Sequence, residues 1–258
     1  MLKARIKFRK YGVMRFIGHL DVMRFFQKAM RRAGIPIAFT GGYSPHMIMS
    51  FAQPLGVGVT SDGEYLDIEL GEEIDFIKSV GQLNEVMVEG MEVVDLVRIP
   101  DDKKSSGMTI VAAASYRVTL LESAKSAEVT RAFPAIWQSK IEEFLGQESI
   151  VVLKRTKRSE VDTDIKPLIY QMRLGEEGIE LFLAAGSEKN LKPDLVMHAF
   201  TDFVGEKPES VPFHYHRKDV YALEPEGTKI TCQSKIEVVT KDTKRTYIPL
   251  SELKYSGN

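Results

Sequence analysis

Two histidines stand where an imidazole could meet a phosphate. His19 opens a helical segment directly after a strand rich in cations, and His46 closes the loop Gly41-Gly42-Tyr43-Ser44-Pro45. Either ring can donate to a phosphate oxygen or serve as general acid–base in RNA cleavage. The plainer alternative is that His19 caps or packs its helix and His46 closes its loop. Arg24, Lys28, Arg31 and Arg32 recur at a spacing that gathers them in one helical arc about 100° wide, a cationic face suited to a polyanion or simply a solvated helix back. Arg15 lies just ahead of that helix. Tyr43 follows two glycines, which permit close backbone approach and leave the ring free to stack on a base. The expected RNA-binding set is therefore Arg15, His19, Arg24, Lys28, Arg31, Arg32, Tyr43 and His46, with no residue assigned as catalytic beyond the open possibility of His19 or His46.

Other chemistries are excluded or weakly indicated. Gly56-Val57-Gly58 lacks the third glycine and the following Lys-Ser/Thr of a phosphate loop, and neither Gly-x-Ser-x-Gly nor His-Glu-x-x-His occurs. His214 and His216 would share one face of a strand, about 6–7 Å apart, without a companion cysteine or carboxylate motif, so no metal is assigned. Asp162-Thr163-Asp164-Ile165-Lys166-Pro167 reads as a charged strand entry that discourages edge pairing or as a second contact surface. Cys232 is the one cysteine. An intrachain disulfide, a four-cysteine zinc site and a self-held iron–sulfur cluster are thereby excluded, and no cofactor is expected.

The 258 residues carry 35 Lys plus Arg and 36 Asp plus Glu, a formal net charge of -1. A generally basic, histone-like binder is excluded, and the ordinary Gly and Pro contents exclude a collagenous or wholly disordered chain. The balance hides sorting along the chain. Residues 1–34 hold ten basic residues and one acidic, whereas residues 62–102 hold thirteen acidic residues and two basic. Either the first block meets a polyanion, or the two blocks face each other or solvate the surface. No run of 18 apolar residues marks a transmembrane helix, and the first seven residues alternate charge and apolar character where a signal peptide has an apolar block. The expected compartment is the cytoplasm, with no membrane and no DNA among the partners.

The elements that must position these residues follow from periodicity. Residues 3–9 alternate, with Lys3, Arg5, Lys7 and Arg9 on one face and Ala4, Ile6 and Phe8 on the other: a half-buried strand. Val13–Ile17 continues as extended chain. A helix spans 19–33, with Val22, Met23, Phe26, Ala29, Met30 and Ala33 in one arc, Asp21 in its first turn, and Gly34 and Pro36 ending it. Strands follow at 35–40, 47–51 and 64–70, a helix at 74–88 and a strand at 91–99. A polar linker covers 100–107. The second half repeats the order: strand 115–121, a helix within 128–145, strand 150–154, a strand pair 164–174 and 178–184 about Gly175-Glu176-Glu177-Gly178, helix 193–204 and strand 213–223. A last hairpin spans 229–240 and 244–250. The reading is α+β, two tandem ferredoxin-like (βαββαβ) units with a short C-terminal β extension, divided at 1–100, 110–223 and 224–258.

Arg15-Phe16-Ile17-Gly18-His19-Leu20-Asp21, Arg31-Arg32-Ala33-Gly34-Ile35-Pro36, Gly42-Tyr43-Ser44-Pro45-His46, Pro54-Leu55-Gly56-Val57-Gly58 and Glu64-Tyr65-Leu66-Asp67 together resemble the radical-SAM-linked bacterial domain family, a family of unknown function. Asp164-Ile165-Lys166-Pro167 extends the resemblance into the second half. Gly18 stands where that family commonly has serine, which removes a hydroxyl cap from the helix start. The resemblance implies a partner, a separately encoded B12-type radical SAM protein. A radical SAM enzyme needs three cysteines for its cluster, and this chain has one, so only the attached module remains. Three functions stay open: a non-catalytic substrate-recognition module for RNA such as tRNA, a metal-independent endoribonuclease of the repeat-associated RNA-processing type using His19 or His46, and a purely structural partner of the radical SAM protein.

Overall fold

The structure, a computed structural model, describes residues 2–123, 126–155, 160–207, 211–228, 230–240 and 243–253. In chain order its elements are β1 (Leu2–Lys10), a 3-10 turn (Gly12–Phe16), α1 (His19–Arg32), β2 (Met49–Phe51), β3 (Thr60–Leu70), α2 (Phe76–Glu85), β4 (Met91–Ile99), the single-turn α3 (Gly107–Ile110), β5 (Val111–Ser123), β6 (Ser126–Arg131), α4 (Trp137–Gly146), β7 (Val151–Arg155), β8 (Glu160–Asp164), a second 3-10 turn (Lys166–Leu168), β9 (Ile169–Gly175), β10 (Gly178–Ala184), α5 (Pro193–Phe203), β11 (Phe213–Leu223), β12 (Ile236–Val239) and β13 (Lys244–Pro249). The chain is α+β and divides into two compact units. Unit 1 comprises residues 1–112 and 217–258, and unit 2 residues 113–216. The C-terminal stretch 224–258, expected as an extension of its own, groups with unit 1; the expected start of its hairpin, Lys229, lies outside the described residues.

In unit 1, β1 pairs antiparallel with both β3 and β4, and β2 pairs antiparallel with β3. The alternation in β1 buries Ala4, Ile6 and Phe8 beneath α1. Phe8, Phe26 and Phe51 form an aromatic centre, with ring centroids 4.8 to 6.4 Å apart. The helix phase read from the sequence places Val22, Phe26, Ala29 and Met30 inside; Met23, at the edge of the arc, is half-buried. Gly34 ends α1 with φ +67°, and the Ile35 N–H reaches the Met30 carbonyl at 3.0 Å. That closure is the Schellman pattern, which favours glycine at this position.

Several segments depart from the expectation. Val13–Ile17 is not extended: Gly12–Phe16 coils into the 3-10 turn. Residues 35–40 make only isolated bridges, Ile37 to Leu70 and Phe39 to Met47, since Pro36 has no N–H for a ladder. Helix 74–88 shortens to α2, whose start is set by the Asp75 carboxylate accepting from the Lys78 N–H at 3.0 Å. In unit 2, residues 128–131 are strand, part of β6 paired with β5. Pro134 holds the helix back to Trp137, its carbonyl accepting the Trp137 N–H at 2.9 Å. β7 pairs with β8 alone as a two-stranded sheet. The expected strand 164–174 is broken by the 3-10 turn around Pro167. β5, β10 and β9 lie side by side and antiparallel, and Trp137, Phe144 and Phe200 pack together in this unit's core. No helix among the described residues is long and apolar enough to cross a membrane.

Candidate nucleic-acid interface

The cations of residues 1–34 fall into two populations. Those of β1 are matched. Lys3 lies 3.2 Å from Glu69 and 3.0 Å from Asp101, Lys7 2.7 Å from Asp219, and Arg9 3.1 Å from Glu92. Arg5, 1% exposed, is locked to Asp67. The β1–β3 register explains much of this, for Arg5 pairs with Asp67 and Lys3 with Glu69 across the ladder, where opposite charges attract and like charges would repel. Lys10 is 2% exposed, and its Nζ donates to the Ile17 carbonyl at 2.9 Å. Burial pushes its amine below the ordinary lysine value, while the Glu64 carboxylate pulls it back up. Part of the basic block is therefore internal wiring, as the acid-facing alternative anticipated.

The cations of α1 are different. Arg24 is exposed and makes one ion pair among the described residues, with Asp21 at 3.3 Å. Lys28, Arg31 and Arg32 are exposed, and none of their side chains has a hydrogen bond or ion pair among the described residues. Their common side of α1 is opposite to Val22, Phe26 and Ala29. Arg31 and Arg32 lie in the last turn, where positive charge also suits the helix dipole.

Arg15 and His19 lie at the entry to this helix. The Arg15 guanidinium sits over the Phe16 ring, 4.7 Å from its centroid, and the Arg15 carbonyl accepts the Gly58 N–H at 2.8 Å. The His19 ring meets Phe51 edge-on at 4.9 Å. It also lines a chamber of about 20 Å³ with Lys10 and Glu64, room for a single water. Glu64 in turn accepts both prongs of Arg217, a residue 153 positions away.

Tyr43 projects fully into solvent. Its loop is closed by Thr40: the His46 N–H donates to the Thr40 hydroxyl at 3.1 Å, His46 Nδ1 lies 3.1 Å from the same oxygen, and the Thr40 N–H reaches the His46 carbonyl at 2.9 Å. No hydrogen bond or ion pair among the described residues joins this loop to α1. The eight expected residues all belong to unit 1, with Arg15, His19 and the four α1 cations on adjoining segments and the Tyr43 loop on a separate one.

Asp162 to Pro167 runs from β8 into the second 3-10 turn. Asp164 accepts N–H groups from Ile150 and Lys166, and the Lys166 ammonium donates to the Gln147 carbonyl. No group of three His, Cys, Asp or Glu among the described residues is arranged to hold a metal. Two features escaped the sequence reading. Lys10 is buried where alternation places it on a face with apolar residues, a signal that was present. Phe16 is 61% exposed, which no periodicity indicates.

A family model described as "Uncharacterized protein conserved in bacteria (DUF2344)" matches residues 3–193. No curated protein matches the chain.

Proposed function

The chain belongs to the uncharacterized bacterial family DUF2344, and because that membership carries no activity we propose from the geometry of unit 1 that it is a non-catalytic recognition module that holds RNA, such as tRNA. The observation that carries this reading is the contrast between the two cation populations. Lys3, Arg5, Lys7 and Arg9 are each matched by a carboxylate, whereas Lys28, Arg31 and Arg32 stand exposed without an acidic partner among the described residues. In a chain of net charge -1, a concentrated positive face is a specific provision for an anion. The antiparallel arrangement β4-β1-β3-β2 and the run β5-β10-β9 support two tandem ferredoxin-like units, a scaffold on which RNA recognition is common.

The partner in this reading is a separately encoded radical SAM protein. It is supported by the resemblance of the motifs in residues 15–67 and by the single cysteine, which leaves the redox cluster to another chain. The test is RNA retention by the purified protein across a salt series. Three or four phosphate contacts give a slope of about -3 in log affinity against log salt. No retention, or retention insensitive to salt, overturns the proposal.

A second reading, metal-independent RNA cleavage, is favoured by one observation: His19 shares its chamber with the desolvated Lys10 amine and the buried Glu64 carboxylate, a juxtaposition typical of acid–base sites. It requires RNA cutting in EDTA that disappears on His19→Ala.

A further inference from the structure

Four large apolar side chains on linked segments of unit 1 are turned toward water. Val13 is 74% exposed, Leu20 68%, Val57 63% and Phe16 61%. Single exposed apolar residues are ordinary, but a cluster marks a contact surface. These four come from three segments that the backbone ties together. The Gly58 N–H, one residue past Val57, donates to the Arg15 carbonyl, one residue before Phe16. Phe16 and His19 are three residues apart, so their Cα atoms lie within about 10 Å of each other.

The turn that carries Phe16 is rigidly seated. The Tyr11 N–H donates to the Gly90 carbonyl at 2.9 Å, the Ile17 N–H to the Met14 carbonyl at 3.2 Å, and the buried Lys10 ammonium to the Ile17 carbonyl at 2.9 Å. Arg15 covers the ring at 4.7 Å, while most of the residue remains open. Leu20 begins the α1 stripe that runs on through Arg24, Lys28 and Arg31, spaced four, four and three residues apart. An open aromatic ring, held on a fixed turn and backed by a guanidinium, thus stands at the head of a row of cations.

We propose that Phe16, backed by Arg15, is a stacking platform for an unpaired base of an RNA whose phosphates follow Arg24, Lys28 and Arg31. This inference rests on the RNA reading above and narrows it to single-stranded or looped RNA, because a base inside a duplex has no free face to offer. Base stacking on an aromatic ring tolerates any sequence, so the platform selects for unpaired structure and leaves base identity to other contacts.

The experiment measures affinity of the full chain for a single-stranded oligouridylate and for an RNA duplex of similar charge, using wild type, Phe16→Ala, Phe16→Leu and Phe16→Trp. Phe16→Ala and Phe16→Leu are expected to weaken the single strand about tenfold and to leave the duplex within about twofold. Phe16→Trp is expected to keep single-strand affinity, with the fluorescence of the introduced indole quenched on binding. Circular dichroism confirms that each variant is folded. Wild-type binding of the single strand by Phe16→Leu overturns the platform while leaving the RNA reading intact. Equal losses on both RNAs overturn it too. Failure of the wild-type chain to bind either RNA overturns the RNA reading and the platform together.

Discussion

Arg5 and Asp67 meet as a two-pronged ion pair in the interior of unit 1, with Nε 2.7 Å from Oδ1 and Nη2 3.0 Å from Oδ2. The same carboxylate accepts the Gly107 N–H at 2.6 Å, and Arg5 donates onward to the Ser105 carbonyl at 2.8 Å. A cation that reads as part of an open basic strand is thus a tie between β1, β3 and the segment leading into α3. At Gly107 an added Cβ would stand 2.6 Å from the Ala52 Cβ, so this tie closes over a backbone approach that admits no side chain.

Asp67→Ala removes the carboxylate that balances the buried Arg5 guanidinium, and is expected to cost about 3–5 kcal/mol of unfolding free energy. Replacing both residues, Arg5→Met with Asp67→Leu, should cost much less, since the desolvation of both charges disappears with the pair. Urea denaturation of the three proteins decides this; equal losses in the single and double variants contradict it.

Lys10 makes stability depend on pH in the alkaline range. Its folded-state value lies below 10.5, chiefly through burial. Between that value and 10.5 the unfolded chain holds more protons on this group, so its contribution to stability rises with pH and is lost as pH falls through the folded value. Relative to Lys10→Met, the wild-type protein should gain stability as pH approaches 10.5. Denaturation midpoints across a pH series test this, and a constant difference refutes it.

Charge reversal at Lys28, Arg31 and Arg32 together to Glu is expected to abolish RNA retention with little change in melting temperature, because exposed charges contribute little to folding. Arg24→Glu alone should have a smaller effect on RNA, since Asp21 already attends that guanidinium. Gel retardation beside thermal melts reads both quantities, and full RNA retention by the triple variant counts against the α1 face.

Thr40→Val removes the hydroxyl that accepts the His46 N–H. The expected outcome is severalfold faster chymotryptic cleavage after Tyr43, with the melting temperature nearly unchanged, because cleavage of an exposed loop tracks local opening. An unchanged cleavage rate shows that Thr40 does not hold the loop.

Gly90→Ala is expected to destabilise unit 1 by about 1–3 kcal/mol. Gly90 has φ +89°, and an added Cβ would stand 2.6 Å from the Tyr11 carbonyl oxygen and 2.7 Å from the Met14 side chain. Because this contact seats the turn bearing Phe16, the variant should also weaken single-stranded RNA more than duplex. A calorimetric scan and the same binding assay measure the two effects.

What the sequence determined by itself was local and periodic. The 3.6-residue spacing of Val22, Phe26, Ala29 and Met30, the stop at Gly34 and the alternation in β1 each report which side of an element is apolar, and the structure keeps them. Prolines were less reliably read. Pro134 and Pro167 interrupt elements that composition alone would continue, because a missing N–H and a fixed φ outweigh neighbouring propensities. The fate of the cations was decided only by the tertiary structure. Lys7 finds Asp219 across 212 residues and Glu64 finds Arg217 across 153, pairings that register and packing create. Identical lysines and arginines therefore became carboxylate-matched ties on β1 and an open positive face on α1, because a charge is neutralised by whatever the fold places within a few ångströms of it.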